Sequence, residues 1–160
     1  MTNFDICIAP VLKAEGGISN HPLDGGKLTK FGISQRSYPK LNIAALTVEQ
    51  AKALYKRDFW DVNNLDQFPL VVAFEFFDCA VNCGAGTAAR ILQRALGVAD
   101  DGIIGPITLA KAKAMPPDKL AKRMLAYRIL FYTKLSNWPT FGAGWVNRLA
   151  HNALWESENV

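Results

Sequence analysis

Two carboxylates nine residues apart, Glu15 and Asp24, bracket the part of this 160-residue chain best suited to acid–base chemistry. Glu15 closes an expected helix and is followed at once by Gly16-Gly17, while Asp24 precedes a second glycine pair, Gly25-Gly26. A carboxyl group at a helix C-terminus meets the negative end of the helix dipole, and apolar neighbours disfavour the charged form, so Glu15 is suited to keep its proton. Asp24, in a polar loop, is expected to stay ionised. A carboxylic acid that protonates a glycosidic oxygen, and a carboxylate that activates water or steadies developing positive charge, are the minimum that glycoside hydrolysis needs. Thr29, five residues beyond Asp24, adds a hydroxyl that can hold the water. The plainer reading of the same residues is a solvated helix end and a turn.

The elements that must position these groups are mostly helical. Thr2 or Asn3 can cap a first helix over Asp5–Lys13, in which Phe4, Ile8, Val11 and Leu12 recur at helical spacing and Pro10 counts against continuity. Residues 15–34, rich in Gly, Asn, Asp and Thr, read as tight turns or a short hairpin, and Ile33–Tyr38 as one turn of helix before Pro39. Thr47 with Gln50 opens a helix through Phe59. A nearly all-apolar helix follows from Pro69 to Cys83, bounded by Gly84 and Gly86, then a helix over Ala88–Leu96 capped by Thr87 and closed by Gly97. Helices from Ile107 to Ala114, Lys119 to Leu135 and Gly144 to Trp155 complete the chain.

Half of the residues are hydrophobic and a fifth are charged, which excludes a disordered or collagenous chain. The longest apolar run, Leu70–Phe77, is interrupted by Glu75 and is too short to cross a bilayer. Asp5 and Lys13 fall where a secretory signal would be basic and apolar respectively, so export is not expected. Three cysteines argue against a disulfide framework. Cys79 and Cys83, four apart, can share a helix face, but without a second pair they read as packing residues; no metal and no cofactor is expected. The net charge of +4 is concentrated at the end of the chain, where residues 111–160 hold eight Lys/Arg against three Asp/Glu. That excess calls for a polyanion. The helix around Lys119–Lys134, with Arg148, would then hold an anionic envelope. Nucleic acid is not expected, because the basic residues of that helix alternate with core positions and no reading motif accompanies them.

The segment Glu15-Gly16-Gly17, Asn20-His21-Pro22-Leu23-Asp24, Gly26, Thr29 and Gly32-Ile33-Ser34 resembles the signature of the glycoside hydrolase family 108 type muramidases. The order of acid, carboxylate and threonine is also similar to that of phage lysozymes. The turn departs from the family's usual Asp-Pro-Gly-Gly-x-Thr, with Gly25 in place of Pro and Lys27 in place of the second Gly. Farther on, residues 82–98 and Asp101-Gly102-Ile103-Ile104-Gly105-Pro106 are similar to the predicted peptidoglycan-binding region of that family.

The resemblance implies a mainly α, lysozyme-like domain with a short β-hairpin or glycine-rich loop near residues 17–34. It implies one domain over 1–160, comprising a catalytic part (1–68), a peptidoglycan-binding-like helical part (69–135) and a C-terminal helix (136–160). The implied activity is cleavage of the β-1,4 bond between N-acetylmuramic acid and N-acetylglucosamine. Glu15 would be the general acid, Asp24 the base or electrostatic partner and Thr29 the positioner. Asn20, Phe31, Trp60 and Asn82 are the candidate substrate contacts, Trp60 because it sits at a helix end beside Asp61. Leu92-Gln93-x-x-Leu96-Gly97 reads first as an amphipathic helix with its terminal glycine rather than as a sugar contact. The partner would be bacterial peptidoglycan, and the chain a monomeric phage or prophage endolysin held in host cytoplasm until a separate pore releases it. The competing expectation is a non-catalytic peptidoglycan-binding module.

Overall fold

Local capping chemistry sets the first two α-helix starts. The Thr2 side chain accepts from the Asp5 backbone N–H while the Asp5 carboxylate accepts from Thr2, a reciprocal box that starts helix α1 at Asn3. Thr47 and Gln50 form a second such box and start α2. The computed structural model describes residues 1–16 and 28–160, with residues 18–20 described by their backbone alone. The described residues fall into two compact units, Met1–Val62 and Asn63–Val160.

The first unit contains α1 (Asn3–Glu15), a three-stranded antiparallel sheet and α2 (Val48–Tyr55). Pro10 is tolerated inside α1, which continues to Glu15 and buries Phe4, Cys7, Ile8 and Val11. The strands are β1 (Ile18–Asn20), β2 (Leu28–Lys30) and β3 (Ile33–Ser34), in that spatial order. β1 pairs Ser19 with Thr29, and β3 pairs Ile33 with Lys30. The helical turn expected over Ile33–Tyr38 is therefore a strand at its start. The two-residue turn between Lys30 and Ile33 folds Ile33 back onto β2, and this overrides local helical spacing. A short 3₁₀ turn at Ile43–Ala45 precedes α2, and a π-helical stretch, Lys56–Asp61, follows it.

The second unit is helical: α3 (Leu70–Cys83), α4 (Ala85–Leu96), α5 (Pro106–Ala114), α6 (Pro117–Thr133) and α7 (Trp138–Asn159). α3 is buried almost all round, as its composition requires, and packs on α4, α6 and α7. Two boundaries differ from expectation. α4 begins at Ala85 with Gly84 as its cap, so Thr87 lies inside the helix. α7 begins six residues before Gly144, with Pro139 in its first turn, and runs through both Gly142 and Gly144. The mainly α architecture and the short sheet within residues 17–34 agree with the sequence-based reading.

Candidate functional site

Glu15 is the last residue of α1 and is half-buried. Gly16 caps the helix at φ 75° and returns its N–H to the Leu12 carbonyl at 3.1 Å, so the carboxylate projects from a terminated helix rather than from a fraying one. Beside it lies the β2–β3 turn. Phe31 (φ 53°) and Gly32 (φ 77°) are both left-handed, the requirement of a type I′ hairpin turn. Glycine takes this conformation freely, whereas an aromatic residue takes it under strain.

The fold supplies two restraints that hold the turn. Tyr55, the buried last residue of α2, donates its hydroxyl to the Phe31 carbonyl at 2.7 Å. Gly32 packs so closely on α1 that a Cβ there would stand 2.8 Å from both Cβ and Oε2 of Glu15, and would collide with the Tyr55 hydroxyl. Glycine at position 32 is thus required twice, by φ and by space. Glu15, Gly32 and Tyr55 form one packed group in which the position of the carboxylate depends on the turn. The Tyr55 restraint is a site feature that sequence reasoning missed. The available signal was a tyrosine on the apolar face of a helix, since a buried phenol needs a hydrogen-bond partner.

Thr29 lies in the central strand, half-buried, opposite Ser19 on one side and Ser34 on the other. Phe31 is half-buried, with the Lys30 ammonium 5.4 Å from its ring centroid and also bonded to the Ala44 carbonyl at 3.1 Å. Asn20 ends β1 opposite Leu28, and its side chain and the whole of Asp24 lie outside the described residues. Trp60 is a correction to the expectation. It is completely buried and meets Phe4 edge-on at 5.6 Å, so it is a core residue of the first unit and offers no face to a sugar. A groove of about 420 Å³ between the 3₁₀ turn and α2, lined by Leu41, Leu46, Leu54 and Arg57 among others, includes neither Glu15 nor Thr29.

Asn82 belongs to the second unit, at the end of α3. Its Oδ1 accepts from the Tyr132 hydroxyl in a short hydrogen bond and from the Cys83 thiol at 3.2 Å. Tyr132 in turn accepts from Arg128 Nη2 at 3.0 Å. Behind it lies a buried charged cluster that sequence reasoning did not identify. Arg128 Nη1 reaches Glu75 Oε1 at 2.7 Å and Asp78 Oδ2 at 3.0 Å. Arg148 binds the same aspartate through Nη2 at 2.9 Å, and Asn152 donates to it at 2.8 Å. Burial pushes the Asp78 carboxyl up, but Arg128 and Arg148 outweigh it and hold the group below the usual carboxylate range. Glu156 is driven the other way, to about 9, first by burial and then by the charge of Glu75. Glu75 is also raised, again chiefly by burial. The signal was present in the sequence: Glu75 and Asp78 are spaced i, i+3 within the most apolar helix, and charges there need opposite partners.

This cluster also revises the basic-face expectation. Arg148 and Arg128 spend their charge on α3 carboxylates, so neither is available to an anionic envelope. Gln93 is buried and saturated, donating to Asp101 and Ile103 and accepting from the Gly102 N–H, so its side chain is used inside the fold. Among the described residues no group of three or more His, Cys, Asp or Glu side chains is placed to hold a metal ion. Among the described residues no helix is long and apolar enough to cross a membrane.

Comparison with known proteins accounts for both units. Residues 8–84 match the glycosyl hydrolase 108 family, and residues 87–150 match the predicted peptidoglycan domain. The fold is similar to the solved structure of Brucella abortus SagA, with a TM-score of 0.88 and 29% identity over 98% of this chain and 94% of that one. A search of the curated proteins gives no match.

Proposed function

Because this chain belongs to the glycosyl hydrolase 108 family and is a glycoside hydrolase acting on peptidoglycan, we propose that it is a muramidase. The bond cleaved is the β-1,4 link between N-acetylmuramic acid and N-acetylglucosamine, and Glu15 is the general acid. The observation that carries this reading is the seating of Glu15: a half-buried carboxyl at a helix terminus, pressed against a turn that only glycine at position 32 permits.

In this reading Glu15 gives its proton to the glycosidic oxygen as the bond to the muramic acid C1 lengthens, and the sugar acquires oxocarbenium character. Asp24 is the ionised partner, either steadying that charge or activating water, and Thr29 in the central strand positions the water. Asn20, which ends β1, and Phe31, in the β2–β3 turn, are the substrate contacts of the first unit. The Tyr55 restraint matters because a general acid works only within hydrogen-bond reach of its oxygen, and displacement by about 1 Å can cost on the order of 10²-fold in rate. One domain over 1–160, a phage or prophage origin, and accumulation in the host cytoplasm before release through a separate pore belong to the same proposal.

Digestion of purified Gram-negative sacculi followed by mass spectrometry of the fragments tests the bond assignment. Reducing-end muramic acid is the expected product. Reducing-end glucosamine, or cleavage confined to the stem peptides, would overturn it.

A further inference from the structure

The α6–α7 end of the second unit carries a run of aromatic rings, of which Phe131, Trp138 and Trp145 pack with one side against the small core of Leu125, Tyr132 and Leu149 and keep the rest partly exposed. Phe131, Trp138 and Trp145 are half-buried, and Phe141 is 54% exposed. Trp145 stacks on the buried Tyr132 at 5.0 Å and 26°, and is 6.0 Å from Phe141 and 6.3 Å from Trp138. Trp138 lies on the backbone of Gly142, where a Cβ would stand 2.7–2.9 Å from three ring atoms. Glycine inside a helix is unfavourable relative to alanine, and here its effect is to seat an indole.

The same Tyr132 that supports Trp145 donates its hydroxyl to Asn82 Oδ1, and Cys83 donates to that oxygen as well. The Asn82 amide is therefore fixed with its oxygen inward, and its NH₂ group makes no hydrogen bond among the described residues. Aromatic rings and an oriented amide donor that meet at the same Tyr132 suit an N-acetylated sugar: rings cover the apolar face of the pyranose and the donor meets an acetamido or hydroxyl oxygen. Charge points the same way. Lys134 stands exposed between Phe131 and Trp138, and no Asp or Glu occurs from Lys119 to Trp155, which matches a glycan whose stem peptides carry carboxylates.

We propose that Trp138, Phe141 and Trp145, with Asn82 as the polar end, form a glycan-stacking surface that holds a peptidoglycan strand on the second unit. This rests on peptidoglycan being the substrate, and it assigns particular residues to the binding role.

The test is co-sedimentation with purified Gram-negative sacculi, all chains carrying Glu15→Gln and each variant checked for an unchanged melting transition. Phe141→Ala and Trp138→Ala are each expected to bind about 2- to 10-fold more weakly, the usual worth of one aromatic contact. Gly142→Ala, which unseats Trp138 without removing a ring, is expected to do the same. Leu154→Ala, also exposed but about 20 Å farther along α7, is expected to bind as the parent. Unchanged sacculus binding by Phe141→Ala and Trp138→Ala would overturn the proposal. So would a loss seen only with phosphatidylglycerol vesicles, which would make this a membrane-facing surface. Whether the chain without any substitution solubilises sacculi is read separately, so a failure of the hydrolytic reading is told apart from a failure of this surface.

Discussion

The two units treat charge in opposite ways. The first leaves its proposed acid, Glu15, half-buried at a helix end against a strained turn, and its ion pairs, such as Arg57–Asp58, at the surface. The second takes Glu75, Asp78 and Arg128 wholly out of water and surrounds them with partners. A carboxyl that must exchange a proton with a substrate needs access, whereas one that organises a helical core needs to be saturated. Burial alone therefore does not single out the acid we propose; accessibility combined with positional restraint does.

That contrast can be broken by removing one cation from each unit. Arg128→Ala leaves Glu75 buried without its guanidinium and Asp78 with Arg148 alone, and is expected to destabilise the protein by about 3–5 kcal/mol in urea unfolding. Arg57→Ala, on a pair whose arginine side chain is 67% exposed, is expected to cost about 1 kcal/mol or less. Equal costs would dissolve the distinction.

A pH series sharpens it further. Two guanidinium groups face three carboxyls in the α3–α6–α7 cluster, and the balance is met if Glu75 and Glu156 share one proton. Because the folded Glu156 keeps its proton up to about 9 while the unfolded one loses it near the ordinary 4.5, the folded state binds more protons in that window. Its contribution to stability is complete below pH 4.5 and is lost as pH rises toward 9, at up to about 1.4 kcal/mol per pH unit. Glu156→Gln, which imitates the protonated acid, is expected to flatten the decline between pH 6 and 9. A variant with the wild-type slope would place the proton elsewhere.

In the first unit the expected effects on stability are smaller and those on rate larger. Gly32→Ala forces a Cβ onto Glu15 in a left-handed residue, and is expected to cost about 1–3 kcal/mol and at least tenfold in hydrolysis rate. Tyr55→Phe deletes the hydroxyl bond to Phe31, and is expected to cost about 1 kcal/mol with a several-fold loss in kcat and little change in KM. A Tyr55→Phe enzyme with wild-type kcat would show that the turn holds its place without this restraint.

Much of this arrangement is legible in the sequence alone, for identifiable reasons. Thr2 with Asp5 and Thr47 with Gln50 announce helix starts through side-chain chemistry that depends on nothing distant. The apolar run after Pro69 could only be a buried helix. What escaped depends on tertiary contact. Phe31 has no intrinsic preference for the left-handed region, so the turn that makes Ile33 a strand is invisible locally. Gly142 and Gly144 suggest a break, yet α7 passes through them because Trp138 packs on the first. Trp60 looked like a cleft aromatic at a helix end and is instead core, because Phe4 of α1 covers it. The Arg128 cluster joins α3 to α6 and α7 across about fifty and seventy residues of sequence, a separation that periodicity does not reach.

The most direct test is the initial rate of sacculus solubilisation by wild type and Glu15→Gln, compared after circular dichroism shows the two equally folded. The substitution keeps the shape and the packing on Gly32 and removes only the proton donor, so the account predicts a loss of at least about 10²-fold. A Glu15→Gln chain that hydrolyses sacculi within about threefold of wild type would contradict it and place the acid at another residue.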